Sequence, residues 1–346
     1  MKFHAAILVE QCQPLTVDQI ELTTPLEYGQ VLVRVICSGI CGSQIGEIDG
    51  VKGEDKFLPH LLGHEGGGIV EEIGSGVSTV KVGDHVVMHW KPGAGIEAPK
   101  KHYRWGNKQV NAGSVTTFNE YAVVSENRLT AISKNIDLSI AALMGCSVLT
   151  GFGVVNNDAQ VKIGQSIVIF GMGGVGLNIV QAASLVSAFP IVGVDLSDEK
   201  LTLANTLGLN YGINSLKEEN IAKKILSYVG NQGADVVIDT TGNTRIIEMA
   251  YTLTNPDGKT ILVGVPKKND NISIHSLPLH FQKQLKGSHG GNACPEKDIP
   301  AYIRLIESGK LQLDKLIMNK TPLNKINDAI GDIRNGKFAG RILLTM

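Results

Sequence analysis

The run Ser166-Ile167-Val168-Ile169-Phe170-Gly171-Met172-Gly173-Gly174-Val175-Gly176 constrains this chain more than any other stretch. Consecutive apolar residues read as a short strand buried on both faces. The glycines end it in a tight turn, and Val175-Gly176-Leu177-Asn178-Ile179-Val180 opens a helix. Strand, glycine turn and helix in immediate succession belong to a parallel α/β sheet. Gly171 permits the turn, Gly173 lets the backbone approach a phosphate, and Gly176 lets helix and strand pack closely. The helix N-terminus at Gly174 and Val175 then offers amide donors and a favourable dipole to a dinucleotide pyrophosphate.

The flanking sequence agrees. A second strand, Ile191–Val194, ends at Asp195, about 20 residues past the last glycine, where an acid meets the adenosine ribose hydroxyls. Its carboxylate would repel a 2′-phosphate, and Leu196 and Ser197 bring no arginine, so NAD is expected over NADP. Val236–Asp239 and Thr260–Val263 continue the strand pattern, with helices expected over Leu177–Ser187 and Asp198–Leu207. Residues from Met1 to about Ile132 read instead as short β-branched strands between glycine turns. The tail holds a helix, Ala301–Ser308, and a last strand, Arg341–Leu344.

Three residues outside the α/β region form a second signal: Cys41 in Gly39-Ile40-Cys41-Gly42-Ser43, His64 in Gly63-His64-Glu65, and Cys146 after Gly145. Two thiolates and one imidazole leave a tetrahedral zinc one open position, the pattern of a catalytic site. Cys37 lies inside a strand and reads as core, and Cys12 and Cys294 have no metal context. A Lewis acid and a dinucleotide together imply hydride transfer between an alcohol and a carbonyl.

On these motifs the chain resembles the zinc-dependent medium-chain alcohol dehydrogenases nearly end to end. Further landmarks are Gly74-Ser75-Gly76-Val77, Val82-Gly83-Asp84, Val263-Gly264-Val265-Pro266 and Gly340-Arg341-Ile342-Leu343-Leu344. The resemblance implies an α/β fold with a β-rich GroES-like barrel catalytic domain, residues 1–147 and 290–346. A doubly wound Rossmann-type cofactor domain, 148–289, is inserted in it. It implies NAD and alcohol in the cleft between domains, zinc polarising the alcohol, Ser43 accepting its proton, and hydride passing to the nicotinamide. Glu65 would sit behind the metal, Thr150 behind the nicotinamide and Trp90 in the substrate pocket. Lys200 would meet the ribose, Arg341 the pyrophosphate, and Val263 and Val265 would border the cofactor. A homodimer or homotetramer is implied, with Asn271-Ile272-Ser273-Ile274-His275 as a candidate edge strand.

The chain departs from the family in three places. The stretch from Lys91 through Gly113, where relatives often carry four cysteines for a structural zinc, has none, so one zinc per chain is expected. Gln44 replaces a common Asp that orients the zinc-binding histidine; its amide oxygen could accept the ring N–H without adding charge. Gly46 replaces the usual relay histidine, leaving water or Glu47 to take the proton outward. The cysteine-free lobe is basic and aromatic, with Lys91, Lys100, Lys101, Arg104 and Lys108 against one acid, Glu97. It could hold an acidic or sugar-like substrate, or serve as a solvated loop or subunit contact.

Composition bounds the rest. With 346 residues the chain accommodates two domains. A net charge of −1 makes no case for nucleic acid or an anionic membrane. Five cysteines are too few for a disulfide scaffold, the N-terminal apolar run is too short for a signal peptide, and no stretch is expected to reach transmembrane length. A cytoplasmic enzyme acting on a small alcohol or carbonyl compound is the expectation. Two alternatives stay open on the residues alone: a zinc-free reductase of the quinone-reductase type, and a non-catalytic dinucleotide-binding protein.

Overall fold

The computed structural model describes every residue except Lys52. The chain divides into two compact units, Met1–Cys146 with Cys294–Met346, and Ser147–Ala293. The second junction thus falls at 293/294, where 289/290 was expected.

In the first unit Lys2–Leu8, Thr16–Glu21, His102–Trp105, Lys108–Asn111 and His60–Leu61 close into a barrel. Alternating inward residues such as Phe3, Ala5, Ile7, Ile20, Tyr103 and Val110 fill it. A second sheet runs Leu129–Ile132, His85–His89, Glu65–Ile73, Gln30–Gly39, Arg341–Thr345, Ile317–Pro322, with Tyr121–Ser125 also on Gln30–Gly39. The last strand returns from the tail to pair with Cys37–Gly39, as Leu343 opposes Gly39 and Thr345 opposes Cys37. The tail helix runs Pro295–Glu307, starting earlier than expected because Pro295 sits at its first turn, where the missing N–H costs nothing.

Only the first half of the cysteine-free lobe is a loop. Its second half is the hairpin that completes the barrel, and side chains pin its first half. Glu126 accepts the Ile96 N–H at 2.8 Å, Ser125 Oγ accepts the Ala98 N–H at 2.7 Å, and Gln30 Nε2 donates to the Pro99 carbonyl at 2.8 Å. Gly95 has φ +106°, and a Cβ there would sit 2.9 Å from Glu126. Hydrogen bonds hold the segment in place.

The second unit is a six-stranded parallel sheet in the order Tyr211–Asn214, Ile191–Asp195, Ile167–Phe170, Ala234–Asp239, Thr254–Leu262, Gln284–Gly287. In chain order this is 3-2-1-4-5-6, the dinucleotide-binding topology, whose switch point lies between the first and fourth strands. The helices form over Gly174–Leu185 and Asp198–Thr206; the first stops short of Ser187, whose φ is 59°. Residues 271–275 are not the edge strand. The Ser273 N–H donates to Glu248 Oε1 at 2.7 Å and the His275 carbonyl accepts from the Tyr251 hydroxyl at 2.9 Å, so the segment lies on a helix, Thr244–Leu253. Gln284–Gly287 occupies the edge instead.

One segment does reach membrane-spanning length, against expectation: Leu138–Ala159, 22 residues with mean hydropathy 2.0 in its most apolar window. That window is 94% buried inside the protein, the mark of a core helix.

Candidate metal centre and cofactor loop

Three elements bring the metal residues together. Cys41 follows the strand Gln30–Gly39 and occupies the N-cap position of a short helix, Gly42–Ile48. His64 precedes Glu65, the first residue of the next strand, after Gly63 turns the chain at φ +90°. Cys146 lies in a π-helical turn, Met144–Val148, of the buried apolar helix; such turns re-aim side chains at functional sites.

The ligand atoms of Cys41, His64 and Cys146 lie within 4.8 Å of one another, and the two sulfurs are 4.0 Å apart. Two thiolates on one tetrahedral zinc, each at about 2.3 Å, would be about 3.8 Å apart. His64 Nε2 is buried with no hydrogen-bond partner, a cost that a metal would remove. The Cys41 thiol is held well below its ordinary range, first by the Cys146 sulfur and then, against burial, by the His64 ring and Arg341. The residues present fit a zinc ion. Ser43 Oγ lies 3.3 Å from the Cys41 sulfur and is exposed, within reach of a molecule at the open position.

Behind the thiol sits a buried ion pair. Glu65 is 0% and Arg341 7% exposed, and the guanidinium bonds Glu65 Oε1. Gly39 makes room, since a Cβ there would stand 2.7 Å from the carboxylate and 2.9 Å from the guanidinium. Glu65 Oε2 and Arg341 Nε remain without partners. Arg341 is buried in the first unit, paired with Glu65 and close to Cys41.

Gln44 also departs from expectation. Its oxygen accepts the Gly63 N–H, not the His64 ring, and its Nε2 donates to Glu47 Oε2 at 3.3 Å. Trp90 is half-buried, its backbone N–H 3.4 Å from the Gly145 carbonyl, next to Cys146. It does not line the cavity beside His64. That cavity, about 590 Å³, is bordered by Gln44, Glu47, Phe57, His60, Lys100 and His102 among others. Of the basic lobe, Lys101 is withdrawn: it is 2% exposed and donates to the Pro25 carbonyl at 2.6 Å. Arg104 is taken by Glu21 at 2.5 Å. His89 is buried between the Lys91 carbonyl and Thr130, and burial lowers its pKa to about 4, so it is neutral.

A second grouping escaped the sequence: Glu47, Asp55 and His60, whose polar atoms also lie within 4.8 Å. His60 Nε2 is 2.7 Å from Asp55 Oδ2, a hydrogen bond, and closer than the roughly 3.3 Å that two such ligands of one zinc keep.

In the second unit the glycine loop has the clearances a phosphate needs. Gly171 has φ +92°, a Cβ on Gly176 would fall 1.9 Å from the Gly171 carbonyl oxygen, and a Cβ on Gly173 would meet nothing within 4 Å. Asp195 ends its strand with Oδ2 accepting the Met172 N–H at 2.6 Å and Oδ1 the Ser197 N–H at 3.0 Å, which ties the acid to the loop. Lys200 lies in the first turn of the next helix, half-buried. Val263, whose N–H donates to the Asp239 carbonyl at 2.8 Å, and the exposed Val265 follow the fifth strand on the same carboxyl edge. Thr150 is buried in the helical turn Leu149–Gly153. Asp239, missed in the sequence, is buried at the switch point and holds the turn after its strand through the Thr241 and Gly242 amides.

Known proteins match this arrangement. Residues 27–134 fit the alcohol dehydrogenase GroES-like domain and residues 174–308 the zinc-binding dehydrogenase domain. Alcohol dehydrogenase 6 of Peromyscus maniculatus is 32% identical, over 99% of this chain and 98% of its own length. S-(hydroxymethyl)glutathione dehydrogenase of Paracoccus denitrificans is 30% identical over 99% and 100%. The crystal structure of benzyl alcohol dehydrogenase from Acinetobacter calcoaceticus superimposes with a TM-score of 0.89 at 27% identity, covering 100% of this chain and 99% of that one. The chain belongs to the zinc-dependent medium-chain alcohol dehydrogenases, oxidoreductases that act on CH–OH donors with NAD.

Proposed function

We propose that the chain oxidises an alcohol, or reduces the matching carbonyl compound, at one zinc ion per chain held by Cys41, His64 and Cys146. The observation that carries this reading is the 4.0 Å sulfur pair facing an unpartnered His64 Nε2. The hydrogen-bonded, cysteine-free lobe supports a single zinc. A zinc ion there would supply a Lewis acid that acidifies a bound alcohol, and NAD would take the hydride. Ser43 would accept the hydroxyl proton, and Arg341 with Glu65 would balance charge behind the thiolates. The test is zinc content per chain alongside NADH formation; two zinc ions per chain, or none in an active preparation, would contradict it.

Cofactor preference follows from Asp195. NAD is expected to give the higher kcat/KM, and Asp195→Ala to narrow the gap by roughly tenfold, the scale of one charge-assisted hydrogen bond. A wild type that prefers NADP would refute this.

Of the lobe's cations only Lys100 borders the cavity beside His64. An alcohol bearing a carboxylate would gain about 1.5–3 kcal/mol from it. Lys100→Ala should then raise KM for 4-(hydroxymethyl)benzoate roughly tenfold and leave KM for benzyl alcohol unchanged. Equal effects on both would remove Lys100 from substrate recognition.

A further inference from the structure

Oxidation of an alcohol breaks the O–H bond as well as the C–H bond, so each turnover releases one proton besides the hydride taken by NAD. That proton needs an outlet from the cavity beside His64. We propose that Glu47 is that outlet, carrying the proton through the wall between the cavity beside His64 and a second, outer cavity. The proposal rests on the alcohol dehydrogenase reading above.

The geometry of the wall carries it. The outer cavity, about 300 Å³, is bordered by Gln11, Gly53, Glu54, Asp55 and Lys56. Among the described residues two border both cavities, Glu47 and Phe57, and of these Glu47 is the one that can bind a proton. His60 faces the inner cavity and Asp55 the outer one, so their 2.7 Å hydrogen bond spans the same wall.

The neighbours are built to hold Glu47. Gln44 Nε2 donates to its Oε2 at 3.3 Å, and His60 Nε2 stands 3.9 Å from its Oε1. His60 Nδ1 faces the Leu61 carbonyl at 3.0 Å, which only accepts, so that nitrogen donates. Nε2 faces the Asp55 carboxylate. Burial raises the Asp55 pKa, but the Phe57 amide and the His60 ring outweigh it, and the acid is held below its ordinary range. Asp55 thus holds the His60 ring beside Glu47. Lys100, His102 and His64 face the group from inside, and Glu54 and Lys56 from outside. Asp49, at the end of the same helix, is taken by Arg334.

The step balances simply. A proton from the substrate hydroxyl, relayed by the Ser43 hydroxyl and then by water in the inner cavity, forms an O–H bond on a Glu47 carboxylate oxygen. That bond then breaks toward water in the outer cavity, restoring the carboxylate. His60, Asp55 and Gln44 are positioning residues.

The test is a stopped-flow measurement on the zinc-loaded, NAD-saturated enzyme with benzyl alcohol, following NADH absorbance and a pH indicator in weakly buffered solution. In the wild type, proton release should keep pace with NADH. Glu47→Gln should slow proton release about tenfold or more, the lower range of general acid–base effects. Added formate or imidazole should restore it in the variant and leave the wild type unaffected. Glu47→Asp should retain much of the rate, and zinc content should stay unchanged in both. Wild-type proton release in Glu47→Gln would overturn the proposal, as would a slow variant that no buffer rescues, since that marks a structural role. A wild type with neither zinc nor NADH formation would instead sink the dehydrogenase reading, and this proposal with it.

Discussion

Replacing Cys146 by Ala is expected to leave the protein folded, to cut zinc occupancy to a small fraction of one per chain, and to lower turnover on the order of a thousandfold. The size follows from what the metal supplies. Lewis-acid stabilisation is worth several kcal/mol, and about 4 kcal/mol is three orders of magnitude in rate. In the proposed centre Cys146 is one of three ligands, and its sulfur is also the main influence holding the Cys41 thiol low. Removing it weakens the second thiolate as well as deleting the first. Metal analysis and NADH formation on the same sample check this; a variant that keeps both zinc and turnover would exclude Cys146 as a ligand.

The second large effect concerns stability. Glu65→Ala would leave the Arg341 guanidinium buried without its counter-charge, and breaking a buried pair from one side costs about 3–5 kcal/mol. At about 2–4 °C per kcal/mol for a domain of this size, Tm should fall by about 6–20 °C. The measurement belongs on zinc-stripped protein, so that loss of metal binding does not add to it. Glu65→Gln with Arg341→Met, which removes both charges, should recover much of the loss. A single variant within about 1 kcal/mol of wild type would mean that water or a rearranged partner already compensates Arg341.

These two sites differ in how far the sequence revealed them. Cys41, His64 and Cys146 were legible because each stands in a short, glycine-marked segment whose residue types have few other uses. The cofactor loop was legible because strand, turn and helix are contiguous, and Asp195 follows at a fixed interval. What stayed hidden depends on pairings between distant residues. His102–Trp105 and Lys108–Asn111 are four-residue strands rich in charge, and only the barrel around them makes them strands. The Glu65–Arg341 pair joins residues 276 positions apart. No local pattern pairs Arg341 with a buried carboxylate. Gln44 was read as an acceptor for His64, but the Gly63 amide is nearer in the fold and takes its oxygen. His60 and Asp55 carried no motif; they matter only because folding sets them on opposite sides of one wall.

On the proposed function, alcohol oxidation depends on a metal held by Cys41, His64 and Cys146. The most direct measurement is NADH formation from NAD and benzyl alcohol before chelation, after quantitative zinc removal, and after one equivalent of zinc is restored. Activity should be lost with the metal and return with a single zinc ion per chain. Turnover that survives complete zinc removal would contradict the claim.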